Sequence, residues 1–238
     1  MISLIIPTYN HAQALEGCLQ SIARQTISNL EVIIVDDGST DAPAKVVQHW
    51  QRLGFGPITF LRQEHLGAPA ARNLGARHAR GEFLLFADAD LILYPAMLER
   101  LQAALVSHPE AAYAYSSFRL VWKKFSSRSF DEATLRRQPY IHTSALIRQA
   151  DFPGFDEGLR RFQDWDLWLT MLEAGRRGVY VPEVLFRARV TRRGMSTWRP
   201  RVWYWFWRRW SPAIGWAPRA CLAYEDARAR IRAKHHLP

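Results

Sequence analysis

Three pairs of acidic side chains in this 238-residue chain could do chemistry. Asp88 and Asp90 stand at i and i+2 in FLLFADADLILYP (83–95), directly after an apolar run. Two such carboxylates can supply hard oxygen ligands to Mg2+ or Mn2+, with substrate phosphates completing the shell. An exposed acidic turn is the plainer use of the same tripeptide. Asp36 and Asp37 open DDGSTD (36–41), where Asp-Gly makes a turn and Ser39 or Thr40 caps the next helix. One capping residue meets that need, which leaves Asp37 to accept hydrogen bonds from a base or ribose. Asp164 and Asp166 lie in RRFQDWDLWLTMLEAG (160–175) near a helix start, where the helix dipole favours carboxylates. On a helix, i and i+2 point about 200° apart. The two acids therefore cannot act on the same group, and one caps or braces while the other faces a cleft. Trp165 and Trp168 form an apolar face that is either core or a platform for stacking a sugar on the acceptor side.

Arg72, Arg77 and Arg80 lie in LGAPAARNLGARHARG (66–81). The plain reading is a solvated basic helix. Arg72, within two turns of Pro69, is close enough to the helix start to meet a phosphate. The chain has neither GxGxxG nor GxxxxGK[ST], so both glycine-rich phosphate cradles are missing and a diphosphate ligand needs a cation.

These residues require elements that bring them together. ISLIIP (2–7) and EVIIVD (31–36) are continuous apolar strands of the kind buried in a parallel sheet. Leu15, Leu19 and Ile22 recur at helical spacing and predict a crossover helix over 11–24. ITFLR (58–62) is a third strand, 69–80 a helix with Pro in its first turn, and GEFLLFA (81–87) a fourth strand. A helix over 95–106, strands over 112–121 and 140–148, and a helix over 164–174 stopped by Gly175 complete an α/β fold with a mainly parallel sheet. Ligands of such sheets bind at the carboxyl ends of the strands. PTYN, DDGSTD and DAD each follow a strand, so one rim holds all three.

Composition divides the chain. The net charge is +10, yet residues 1–175 carry 17 Lys and Arg against 19 Asp and Glu, whereas 176–238 carry 15 against 3. Six of the ten Trp also fall in the tail, where RPRVWYWFWRRWSPAIGWAPRA (199–220) sets aromatics among arginines. That stretch fits packing on the domain or on a second copy of the chain, or contact with an anionic membrane surface at headgroup depth. Single-stranded nucleic acid is the weakest match, because no RNA-binding module surrounds the stretch. Cys18 and Cys221 match neither a metal-ligand spacing nor a disulfide framework. MISLIIPTYN lacks the basic start of a signal peptide, and no run of about 18 apolar residues suggests a membrane span. The expected setting is the cytoplasm, with peripheral attachment to the cytoplasmic face of the membrane through the tail.

In this order, PTYN (7–10), DDGSTD, GAPAARNLGARHARGEFLLFADAD (67–90) and GFDEGLRRFQDWDLWL (154–169) resemble the family 2 glycosyltransferases of the GT-A fold. The resemblance implies a nucleotide-sugar-binding α/β sandwich over 1–190, followed by a basic, Trp-rich helical extension over 191–238. It implies inverting transfer of a sugar from a nucleoside diphosphate, UDP by default, to a hydroxyl of an acceptor glycan or lipid-linked sugar in cell-surface glycan assembly. Thr8 and Tyr9 would line the base pocket and Asp37 would hold the base. Arg72 would assist the diphosphate, Asp88 would approach the ribose or the metal's water, and Asp90 would ligate Mg2+ or Mn2+ directly. Asp164 would be the general base, with Gln163 where the family carries the Glu of a Glu-Asp pair. After the final core strand the family often presents Arg-x-His; FRARVTRRGMS (186–196) has Arg189 there instead. Single displacement with inversion needs one base, plus a cation for the departing diphosphate. A nucleotidyltransferase of similar architecture lacks its usual glycine-rich, Arg-containing N-terminal loop here. The full set of acids argues against a non-catalytic sugar-nucleotide or nucleic-acid binding module.

Overall fold

A computed structural model describes residues 1–120, 123–189 and 219–237. One nine-stranded sheet runs in the order β3-β2-β1-β4-β8-β6-β9-β5, with β7 paired to β6. Its strands are β1 (Ile2–Thr8), β2 (Leu30–Asp36), β3 (Ile58–Arg62), β4 (Phe83–Phe86), β5 (Leu91–Leu93), β6 (Tyr113–Leu120), β7 (Lys123–Phe125), β8 (Leu146–Arg148) and β9 (Gly178–Ala188). The helices are α1 (Ala12–Ile22), α2 (Pro43–Arg52), α3 (Ala68–His78), α4 (Met97–Ser107), α5 (Glu132–Arg137), α6 (Gln163–Glu173) and α7 (Arg219–Lys234).

The apolar runs become strands because both of their faces are covered. Ile2, Leu4 and Ile6 join Leu15, Cys18 and Leu19 of α1 and Leu98 and Leu101 of α4 in one core. Ile5 points the other way, into a second core with Ala71 of α3 and Trp165 and Trp168 of α6. Two helical layers thus sandwich the sheet. Burial at about 25 cal/mol per Å² of apolar surface holds such layers together without directional bonds.

Parallel pairing holds for β3-β2-β1-β4, the half read from sequence. The other half is mixed: β8 runs antiparallel to both β4 and β6, β9 is parallel to β6, β5 pairs antiparallel with β9, and β7 antiparallel with β6. The strand expected over 140–148 shrinks to Leu146–Arg148. Just before it the chain turns, with Ala145 N–H donating to Thr143 O at 2.9 Å and the Ser144 hydroxyl to Phe86 O at 2.8 Å.

Neither Ser39 nor Thr40 caps α2. That helix starts from Ala42 in a left-handed conformation (φ 55°) without a side-chain cap. The polar groups of DDGSTD turn instead to the loop after β1. Ser39 Oγ accepts Asn10 N–H at 2.9 Å, Asp41 Oδ2 accepts Ala12 N–H at 2.8 Å, and Asn10 Oδ1 accepts Thr40 N–H at 2.8 Å. Asp41 thereby satisfies an orphan donor at the start of α1, capping that helix from another loop.

Among the described residues no helix is long and apolar enough to cross a membrane. Residues 190–218, which hold most of the basic aromatic stretch and the six tail tryptophans, lie outside the described residues.

Candidate active site

The register of the parallel strands sets the rim. Thr8 is level with Asp36, and Ile5 with Phe86, so the chain emerging from β1, β2 and β4 delivers Tyr9, Asp37 and Asp88 to one edge. Asp37 N–H continues the ladder by donating to Thr8 O at 2.9 Å.

Asp37 is 2% exposed and gathers the loop between β3 and α3. Its carboxylate accepts Gln63 Nε2 at 2.7 Å, Leu66 N–H at 2.9 Å and Gly67 N–H at 3.0 Å, and His65 Nδ1 lies 2.8 Å away. The adjacent carboxylate that sequence left without a structural role therefore has one. His65 also stacks on Tyr9, with ring centroids 4.0 Å apart, and Tyr9 is 41% exposed. Beneath them Thr8 Oγ1 is buried and has no hydrogen-bond partner among the described residues.

Arg72 joins two motifs that are distant in sequence. It lies buried in α3, donating from Nη2 to Asp88 Oδ1 at 2.7 Å and from Nη1 to Gln163 Oε1 at 2.8 Å, with its guanidinium over the Phe155 ring at 5.2 Å. The DAD turn and the start of α6 are thus one site. The basic-helix reading fails at Arg72, since a solvated guanidinium would be exposed.

After Asp88 the chain reverses, with Leu91 N–H donating to Asp88 O at 3.0 Å before β5 begins. Burial pushes the Asp88 carboxyl up, but the charges of Arg72, His142 and His11 outweigh it and hold the group below the ordinary carboxylate range. Asp90 goes the other way: burial and then the Asp88 charge push it up to about 6. Among the described residues no cation pairs with Asp90, and no cluster of three or more candidate metal ligands forms. An under-compensated carboxylate beside a second one fits a hard divalent cation that keeps much of its shell for water and phosphate. Arg189 N–H donates to Asp90 O at 3.1 Å, and the Arg189 guanidinium lies against Gly17 of α1.

The two acids of α6 divide as their 200° separation requires. Asp164 accepts Trp165 N–H at 2.9 Å on the cleft side, where burial raises its carboxyl above the ordinary range against the opposing charges of His142 and Arg72. Asp166 is 2% exposed and braces α7 through Lys234 and His235. Trp165 is 1% exposed, with its indole N–H donating to Leu135 O at 2.6 Å, and Trp168 is 0% exposed. Both are core, so the acceptor-side expectation for Trp165 gives way to packing: its ring offers no open face to a sugar. Phe162, the residue that launches α6, sits at φ 57°. A non-glycine residue held there costs about 1–3 kcal/mol and marks a turn that its surroundings over-determine.

Two contributors were missed from sequence. His142 carried no motif, yet its loop reaches the rim because β8 runs antiparallel to β4 and so starts where β4 ends. The ring packs on Phe118 and Phe186, and Nδ1 accepts Ser144 N–H at 3.1 Å, leaving Nε2 to carry the proton of the neutral ring. Burial pulls the imidazole below its ordinary value, against the charges of Asp88 and Asp164. Asn73, next to Arg72, exchanges hydrogen bonds with both backbone groups of Phe155, at 2.9 and 2.8 Å, and ties the 155–157 loop to α3. A cavity of about 670 Å³ opens elsewhere, at the starting ends of β6 and β9 between His108, Glu132 and Arg177, and is lined by none of the predicted site residues.

The fold is that of the GT-A-type glycosyltransferases. The sequence profile of glycosyl transferase family 2 matches residues 3–162, and the chain belongs to that family. An uncharacterized glycosyltransferase of Haemophilus influenzae is 39% identical over 191 residues, covering 73% of this chain and 62% of its own. The chain spans less than two thirds of the length of the curated relatives it matches. Staphylococcus aureus TarS 1-349 in complex with UDP-GlcNAc superposes with a TM-score of 0.71 at 21% identity, over 84% of this chain and 61% of its own. Mannosyltransferase PcManGT from Pyrobaculum calidifontis, in complex with GDP-Man and Mn2+, gives 0.67 at 25% identity, over 97% of this chain and 69% of its own.

Proposed function

We propose that the chain transfers a sugar, with inversion, from a nucleoside diphosphate sugar to an acceptor hydroxyl in cell-surface glycan assembly, with Asp164 as the general base. One observation carries this reading: Arg72 hydrogen-bonds Asp88 and Gln163 at once, so the acids of the DAD turn and the α6 acid face one cleft. The unpartnered Thr8 hydroxyl and the exposed Tyr9 ring offer a polar contact and a stacking surface for a nucleoside, beside Asp37.

Asp164 receives the proton of the attacking hydroxyl, which requires the carboxylate to be ionised and within about 3 Å of that oxygen. Its raised pKa makes it a stronger base than a solvated Asp, at the cost of protonation nearer neutrality. Arg72 keeps Asp88 ionised and fixes its direction. Asp90 would hold Mg2+ or Mn2+, whose charge would stabilise the departing diphosphate, and Asp88 would meet the ribose or the metal's water. The basic Trp-rich stretch is assigned, on composition, to an anionic membrane surface near a lipid-linked acceptor. Salt-sensitive flotation with anionic liposomes would support that role, and flotation unchanged by replacing Trp203, Trp205, Trp207 and Trp210 with serine would remove it.

The deciding experiment is a thermal-shift panel of nucleoside diphosphates and their sugars with Mn2+, run on wild type, Asp164→Asn and Asp90→Ala. Asp164→Asn should bind nucleoside diphosphate and lose transfer. Asp90→Ala should lose the Mn2+-dependent part of the shift. Full transfer by Asp164→Asn removes the base assignment, and an Asp90→Ala protein as active as wild type with or without EDTA removes the metal assignment.

A further inference from the structure

Helix α7 packs on the back of the helix that carries Asp164, and its contacts converge on what aims that residue. At its near end Tyr224 meets Phe162 edge to face, ring centroids 5.0 Å apart. Phe162 is the left-handed residue that launches α6, and its ring also meets Trp165 at 5.7 Å. Further along, Ile231 is fully buried in the same core as Trp165 and Trp168. At the far end Lys234 Nζ lies 2.8 Å from Asp166 Oδ1 and 2.7 Å from Asp156 Oδ2. His235 Nε2 lies 2.8 Å from Asp166 Oδ1, and its Nδ1 2.9 Å from Glu173 Oε1.

These contacts constrain α6 in two ways. Asp166 points about 200° away from Asp164 around the helix axis, so pinning Asp166 from behind fixes the rotation that turns Asp164 to the rim. The strained turn before Gln163 is held from both sides. Asn73 ties Phe155 from the α3 side, while Lys234 ties Asp156 and Tyr224 covers Phe162 from the α7 side. The ion pairs of Lys234 and His235 go to Asp156, Asp166 and Glu173, away from Thr8, Tyr9 and Asp37 at the nucleotide rim.

We propose that α7 is a positioning element for the transfer step. Through Tyr224, Lys234 and His235 it holds the first turn of α6 so that Asp164 meets the acceptor hydroxyl. This rests on Asp164 being the base, and it extends the active unit to the C-terminal helix. A misplacement of about 1 Å at a reacting group can cost on the order of 100-fold in rate while leaving distant binding contacts intact.

The test uses the full chain with Tyr224→Ala and Lys234→Ala, beside Asp164→Asn. Initial rates give kcat and donor KM, and calorimetry gives nucleoside diphosphate affinity. Tyr224→Ala and Lys234→Ala should lower kcat by about 10- to 100-fold. Donor KM and diphosphate affinity should stay within about twofold. A contact that served stability alone would lower kcat and binding together, in step with the folded fraction, and that result overturns the proposal. Should Lys234→Ala fail to fold, the half-buried Tyr224 decides the matter: a folded Tyr224→Ala protein with wild-type kcat refutes positioning while Asp164→Asn remains inactive. If Asp164→Asn itself transfers sugar at the wild-type rate, the base assignment fails and the proposal falls with it.

Discussion

Gln163 accepts a hydrogen bond from Arg72 at 2.8 Å as a neutral side chain, directly before Asp164 in the sequence. Arg72 therefore spends its charge on Asp88. Gln163→Glu would place a second negative charge beside Asp164 and disfavour its ionised form. Burial already raises the Asp164 pKa, so the acidic limb of the rate profile should lie above the ordinary Asp value of about 3.9. In Gln163→Glu that limb should move to higher pH, since transfer is lost as pH falls through the pKa of the base. A pH–rate profile of both proteins checks the shift, and an unmoved or lowered limb contradicts it.

Asp37 and Tyr9 share a rim but should fail differently. Asp37→Asn puts amide hydrogens against one backbone donor, that of Leu66 or of Gly67, so it should cost about 1–3 kcal/mol of stability and weaken nucleoside diphosphate binding as well. Tyr9→Ala removes an exposed ring and should weaken binding with little change in melting temperature. Thermal denaturation with calorimetric titration separates them. Equal melting losses in the two variants would show that Tyr9 is structural.

Gly75 sets how close α3 lies to the sheet. A Cβ there would overlap Ile5 Cγ2 and come within 3.3 Å of Val35 Cγ2. Gly75→Ala should destabilise by about 1–3 kcal/mol and push α3 outward, carrying Arg72, one turn away, off Asp88. Both stability and kcat should fall. A stable Gly75→Ala protein of full activity would show that the helix can shift without disturbing the site.

The seating of α7 should depend on pH at both extremes. The Lys234 ammonium holds Asp156 below the ordinary carboxylate range. Burial tends to lower Lys234, but Asp156 and Asp166 together raise it. A lowered acid contributes stability above its unfolded pKa and loses it as pH falls through the folded one; a raised amine contributes below its unfolded pKa and loses it as pH rises through the folded one. Seating should therefore be firmest from about pH 5 to 10. The Asp156 pair is over a third exposed, so its share is about 0–1 kcal/mol. Buried Asp166 matters more, because stripping both Lys234 and His235 from it should cost about 3–5 kcal/mol. Hydrogen exchange of α7 amides across pH reads this directly, and protection flat down to pH 3 would contradict it.

The half of the fold read correctly from sequence is the half whose signals are local. ISLIIP, EVIIVD and FLLF are unbroken apolar runs because β1, β2 and β4 are covered on both faces. β5 has three residues, and β9 is interrupted by Pro182, so neither gives a clean period. At the site, the carboxylates stood out because each ended a strand or began a helix. His142 did not, since its place depends on the direction of a strand that follows it. The Asp166 partners lie 68 and 69 residues downstream, beyond any spacing rule.

The loops after β1 and β2 share their hydrogen bonds: Asn10 serves Thr40, Ser39 serves Asn10, and Asp41 serves Ala12. Neither loop can be rewritten alone. Replacing Asn10 strands the Thr40 amide, and replacing Asp41 strands the start of α1. Across relatives, positions 10 and 39–41 should therefore drift as one word rather than four letters, and a chimera that exchanges only one of the two loops should inherit half a clasp.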